Sequence, residues 1–190
     1  MRRVVLLFAL AAVLTGCSET TTGTPSAGGE TPTAGSSSTK APTSSKAPVT
    51  RPKKIDLKTL GDPCAFFYPA AVQTQFGLRN INVSDQTGLW PGAKACGAST
   101  EDRSALYIHT AIVSEGVEPK YSSGAGVTKE QVAGFTAYQK TDDVLKACTL
   151  AIDVADGQML MMMAFEPSAK DPQIFCPKVK AMSEAVLAGS

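Results

Sequence analysis

The chain has 190 residues, 18 of them basic and 17 acidic. No bulk charge therefore draws it toward nucleic acid or an acidic polymer. One histidine and five cysteines leave little material for a zinc site and fit an exported, disulfide-bonded protein better.

The N-terminus opens with Met1-Arg2-Arg3 and an apolar run from Val4 to Leu14. A basic start and a short hydrophobic core are the pattern of a secretory signal, because the run is too short to cross a bilayer as a helix. It closes on Leu14-Thr15-Gly16-Cys17, which resembles the bacterial lipobox at which signal peptidase II cuts. Residues 1–16 are thus expected to be a lipoprotein signal peptide and Cys17 to carry the lipid. Their removal leaves 16 basic against 17 acidic groups. Stable anchoring takes two acyl chains, and a diacylglyceryl-cysteine, the palmitate-type modification, supplies at least two. The expected location is the extracytoplasmic face of the cell membrane. After Cys17 no second long apolar segment occurs, so the lipid is the only expected membrane attachment.

From Ser18 to about Lys54 the chain is Ser, Thr, Pro, Gly and Ala with no aromatic residue. Such a segment cannot bury enough apolar surface to offset its ordering entropy. Residues 17–54 read as a lipidated cysteine followed by a disordered tether spanning about 30–35 Å as a flexible coil.

The folded part is expected over residues 55–190. Asp62-Pro63 reads as an N-cap followed by proline at the first helical position. Pro69 opens a second helical turn, with Val72 and Phe76 on one side and Gly77 placed to end it. Ile81 and Val83 mark a strand, and Trp90-Pro91-Gly92 a turn. From Ser104 to Val113, Leu106, Ile108 and Ile112 share one strand face and Tyr107, His109 and Ala111 the other. Ser114 to Gly126 reads as a loop, and Phe135 to Lys140 as a short strand.

Then comes the strongest hairpin pattern. Cys148, Leu150, Ile152 and Val154 alternate with Thr149, Ala151 and Asp153, and Asp156-Gly157 is preferred two-residue turn chemistry. Pairing outward from that turn sets Val154 opposite Met159, Ile152 opposite Met161, Leu150 opposite Met163 and Cys148 opposite Phe165, all on a buried face. A helix from about Pro177 to Ala188 ends the chain. The expected fold class is a single α+β domain: an antiparallel sheet of about five strands, short N- and C-terminal helices, and two disulfides.

With Cys17 lipidated, Cys64, Cys96, Cys148 and Cys176 remain. They contain no Cys-x-x-Cys pair, and two disulfides are the better reading. Of three connectivities, the hairpin register favours Cys148–Cys176, because the return loop brings Cys176 back to the end where Cys148 sits. That leaves Cys64–Cys96.

The lipobox, the low-complexity tether, Asp62-Pro63-Cys64-Ala65-Phe66-Phe67 opening the domain, Cys96 at a strand start, Cys148 opening a hairpin and Cys176 at a final helix carry a resemblance. Together they look like the actinobacterial lipoprotein family called domain of unknown function 3558, over residues 56–188. The strand after Cys96 departs from it, reading Gly97-Ala98 where such proteins often carry Trp. The resemblance implies an envelope lipoprotein and supplies no catalytic residue.

Each chemical constellation yields to a plainer reading. His109 lacks a Gly-x-Ser-x-Gly turn or other nucleophile context. Asp142-Asp143 sits in a polar turn, and Gly124-Ala125-Gly126 is too short for a phosphate loop. Met159, Met161, Met162 and Met163 could suggest a soft metal, but the register makes Met159, Met161 and Met163 core filler. No catalytic residue, cofactor or metal ligand is therefore assigned. Leu160 and Met162 are apolar on the opposite, outer face, where either a terminal helix covers them or a pocket wall begins. The candidate binding surface is the Ser114–Gly126 loop with Tyr121, and the outer face with Tyr107, His109, Leu160 and Met162.

The function expected is a non-enzymatic, monomeric envelope binding module for a partner protein or a small or lipidic ligand. An envelope enzyme is the alternative, and a transporter's solute-binding subunit would need about twice the length.

Overall fold

The computed structural model describes residues 51–118 and 120–190. The signal peptide, the lipobox with Cys17 and the tether to residue 50 lie outside the described residues. A 3-10 turn (Leu57–Thr59) leads into helices α1 (Pro63–Phe67) and α2 (Ala70–Phe76). Asp62 caps α1, its carboxylate accepting the Cys64 N–H at 2.8 Å. Gly77, at φ +62°, ends α2 in the left-handed conformation, which glycine adopts without a Cβ penalty.

Seven strands follow: β1 (Leu78–Ser84), β2 (Lys94–Thr100), β3 (Leu106–Ile112), β4 (Thr128–Val132), β5 (Phe135–Asp142), β6 (Ala147–Ala155) and β7 (Gln158–Phe165). They form one antiparallel sheet in the order β1-β2-β3-β7-β6-β5-β4. The expectation of about five strands is corrected to seven. β4, Thr-Lys-Glu-Gln-Val, is an edge strand that needs one partner and so carries no apolar alternation. β2 is built of small residues, and its buried positions give no strong hydrophobic signal. The C-terminal helical run is also longer than expected. A 3-10 turn, Pro172–Phe175, precedes the 13-residue α3, Cys176–Ala188.

A second correction concerns the β6–β7 hairpin. The two-residue turn forms as expected, with Ala155 opposite Gln158 and Gly157 at φ +68°. Next to it, however, Asp153 faces Met159, so Val154 is an extra residue on β6, a β-bulge. A bulge of one residue reverses the faces of everything beyond it. Ile152 therefore pairs with Leu160, Leu150 with Met162 and Cys148 with Ala164, not with Met161, Met163 and Phe165.

The N-terminal segment holds this bulge. The Ile55 N–H donates to the Val154 carbonyl at 3.3 Å, and the Leu57 N–H to Oε1 of Gln158 at 2.7 Å. The Arg51 guanidinium binds Asp153 at 2.7 Å and Asp156 at 2.8 Å. Arg51, read from sequence as tether, thus contacts the domain.

The three α-helices among the described residues pack on one face of the sheet, α1 against β2 and β3, α2 against β1, and α3 against β6 and β7. Leu150, Ile152, Leu160 and Met162 lie beneath them with Phe67, Tyr68, Val179 and Met182. Helix cover over Leu160 and Met162, one of the two outcomes weighed from sequence, is what occurs. The Ser183 hydroxyl of α3 donates to the Val179 carbonyl and lies 2.9 Å from the Met162 sulfur. The bridges are Cys64–Cys96, tying α1 to β2, and Cys148–Cys176, tying β6 to α3, the pairing expected.

Candidate ligand-binding groove

The candidate binding residues separate into two groups. Tyr107, His109, Leu160 and Met162 are fully buried under the helices, so they form no binding surface. Sequence alternation identified the two faces of β3 correctly but assigned the wrong one to the outside. His109 illustrates the consequence. Its ring lies 5.6 Å from Phe67 and 4.9 Å from Tyr68, with neither nitrogen hydrogen-bonded. Burial alone pushes its pKa down to about 3, because a charged imidazolium has no water or partner there. The neutral imidazole is packed between the α1 aromatics and the sheet.

The other face carries the site. Ile108 from β3, Met161 and Met163 from β7, Thr149 and Ala151 from β6, and Tyr138 from β5 floor a groove of about 520 Å³. That lies within the roughly 300–1,000 Å³ typical of small-molecule sites. Tyr121 belongs to this groove, unlike the other four candidates. Two loops make its walls. Residues 85–93, between β1 and β2, bring Gln86, Leu89 and Trp90; residues 113–127 bring Lys120, Tyr121, Ser123 and Val127.

Both loops are pinned. Val117 is buried against Ile112 and Met159, and the Tyr121 N–H donates to its carbonyl at 2.9 Å. The Trp90 N–H donates to the Gln86 carbonyl at 3.0 Å. The loops are also bound to each other, the Trp90 indole N–H donating to Oε1 of Glu115 at 2.7 Å. Lys120 joins the same oxygen at 3.3 Å and sits 5.6 Å from the Trp90 ring centroid and 5.5 Å from that of Tyr121. The hydrogen bond to Glu115 raises the Lys120 pKa. Burial raises that of Tyr121. Opposite, the Tyr138 hydroxyl donates to Glu118 at 3.2 Å.

Among the described residues no cluster of three or more His, Cys, Asp or Glu side chains could hold a metal. Asp142 caps its own turn, accepting the Val144 and Leu145 N–H groups at 2.8 Å each. No described helix is long and apolar enough to cross a membrane. Two further depressions of about 360 and 350 Å³ lie along β1 and β2, and neither gathers aromatic rings from two loops. Trp90, Ile108, Met161 and Met163 escaped the sequence reading. The available signals were the lone tryptophan in a turn and the alternation of Leu106 and Ile108.

Fold and groove define a small α+β domain with helices on one sheet face and a ligand-sized groove on the other. The chain belongs to the family described as protein of unknown function (DUF3558), which it matches over residues 12–188. No curated protein and no solved structure matches it.

Proposed function

We propose that this protein is a lipid-anchored, extracytoplasmic binding module that holds a small, largely apolar ligand in the groove over β3, β7, β6 and β5. The observation that carries the reading is the groove's lining: a methionine and isoleucine floor, with Trp90 and Tyr121 as walls. Met161, Ala151 and Tyr138 are buried beneath the loops, while Ile108 and Met163 remain part-exposed, apolar surface that a ligand can cover. Methionine suits the task, because its flexible, polarizable side chain adapts to the shape it meets. The anchor rests on the Leu14-Thr15-Gly16-Cys17 motif.

Trp90 is the only tryptophan in the chain, so its fluorescence reports on the groove alone. Titrating the full chain with 1-octanol is expected to shift Trp90 emission saturably, and Met163→Glu to abolish the shift. An unsaturable response in the parent protein refutes the groove. Separately, Cys17→Ala is expected to release the protein from the membrane fraction. Retention after a salt wash refutes the lipid anchor.

A further inference from the structure

The corner of the groove formed by Trp90, Tyr121 and Glu115 already holds a cation, the chain's own Lys120. Its ammonium meets two aromatic faces at 5.6 and 5.5 Å and a carboxylate oxygen at 3.3 Å. Those three partners come from two different loops, so the arrangement is made by the fold and not by one helix turn or strand. Aromatic faces attract cations through the ring quadrupole, and recognition of organic ammonium groups is a known use of such pairs of rings.

We propose that this corner binds the ammonium group of a small organic cation with an apolar body, the ligand displacing Lys120. The inference rests on the groove being a binding site and names the chemistry of what enters it. Lys120 is suited to being displaced. Its side chain is 57% exposed, and a strongly hydrated ammonium on a flexible stem returns to water at little cost. Glu115 stays aimed when Lys120 leaves, because the Trp90 indole N–H holds it at 2.7 Å. A bare ammonium would leave Ile108, Met161 and Met163 uncovered, whereas one attached to an apolar body covers them.

Asp142 and Lys140 stand beside each other and offset one another, which leaves Glu115 to set the sign at the aromatic corner. An anionic head group at this corner would meet the Glu115 carboxylate once Lys120 swings out. A phosphate next to the ammonium, as in a zwitterionic lipid, meets the same carboxylate, so the assignment is to a free organic cation.

Calorimetric titration of the full chain with octyltrimethylammonium, 1-octanol and octanoate separates head-group from chain effects. Octyltrimethylammonium is expected to bind about tenfold tighter than octanol, and octanoate more weakly than either. Glu115→Gln and Tyr121→Leu are each expected to reduce that preference to about threefold or less. Lys120→Ala, which removes the internal competitor, is expected to tighten octyltrimethylammonium binding several-fold. Equal saturable binding of octyltrimethylammonium and octanol overturns the cation assignment and leaves the groove standing. Absence of saturable binding by all three probes overturns both. Tighter binding of dihexanoylphosphatidylcholine than of octyltrimethylammonium overturns the assignment to a free cation, and weakened cation binding in Lys120→Ala overturns the role of Lys120.

Discussion

Replacing His109 with leucine should remove most of the domain's stability change between pH 7 and pH 5. In the folded chain the imidazole is fully buried and its pKa falls from 6.5 to about 3. The unfolded chain takes up a proton below pH 6.5, while the folded chain does not until about pH 3. The stabilisation is therefore present above pH 6.5 and is lost as the pH falls toward 3. At pH 5 the unfolded state gains about 2.1 kcal/mol from this one proton, against about 0.2 kcal/mol at pH 7. The expected loss is thus about 2 kcal/mol. With a urea m-value of about 2 kcal/mol/M, that moves the unfolding midpoint down by about 1 M. Asp56, Asp85, Asp102, Asp142 and Asp156 do not blur this window. Their pKa values are lowered below the ordinary 3.8 by hydrogen bonds, so their contributions fade only at more acidic pH. Urea unfolding of the parent and His109→Leu at both pH values tests the reasoning. If both proteins lose the same stability, or if the folded imidazole titrates near 6.5 by NMR, the buried neutral histidine is wrong.

The bulge at Val154 predicts opposite costs for neighbouring methionines. Met162→Ala should cost about 2–5 kcal/mol, as buried large-to-small changes do, and Met163→Ala clearly less because that side chain is only half-buried; the reverse order in denaturant melts would restore the unbulged register. Replacing Cys148 and Cys176 together by serine should cost about 2–4 kcal/mol. Non-reducing peptide mapping of the parent should recover Cys148 with Cys176 and Cys64 with Cys96, and a Cys64–Cys176 peptide would refute both bridges.

Local chemistry was readable where neighbours in sequence decide the outcome. Asp62-Pro63 caps α1, Gly77 closes α2 with a positive φ, and Asp156-Gly157 makes the turn, because each needs only the intrinsic preferences of a few residues. The disulfide pairing survived the register error because Cys148 lies at the far end of β6 from the turn whichever residue it opposes. What could not be read was which face is inside. That depends on Val154 bulging, and the bulge is held by Arg51, Ile55 and Leu57, about 100 residues earlier in the chain. One inserted residue put Leu160 and Met162 under the helices in place of Met161 and Met163. The groove shared this opacity. Trp90, Tyr121 and Met163 come from three separate segments, and Tyr121 alone stood out because its loop is long. β4 was missed for a related reason: an edge strand of polar residues satisfies its backbone hydrogen bonds on one side only and needs no apolar face.

The seating of Arg51 on Asp153 and Asp156 also decides how the domain bears force. A pull on the chain ahead of Arg51 loads its ion pairs with Asp153 and Asp156 at the β6–β7 turn first, and these strands stand fifth and fourth in a sheet of seven. An edge strand under tension unzips one hydrogen bond at a time. A central hairpin passes the load to β3 on one side and β5 on the other, and the Cys148–Cys176 bridge carries it covalently into α3. Tension that reaches this hairpin is therefore shared across the middle of the sheet.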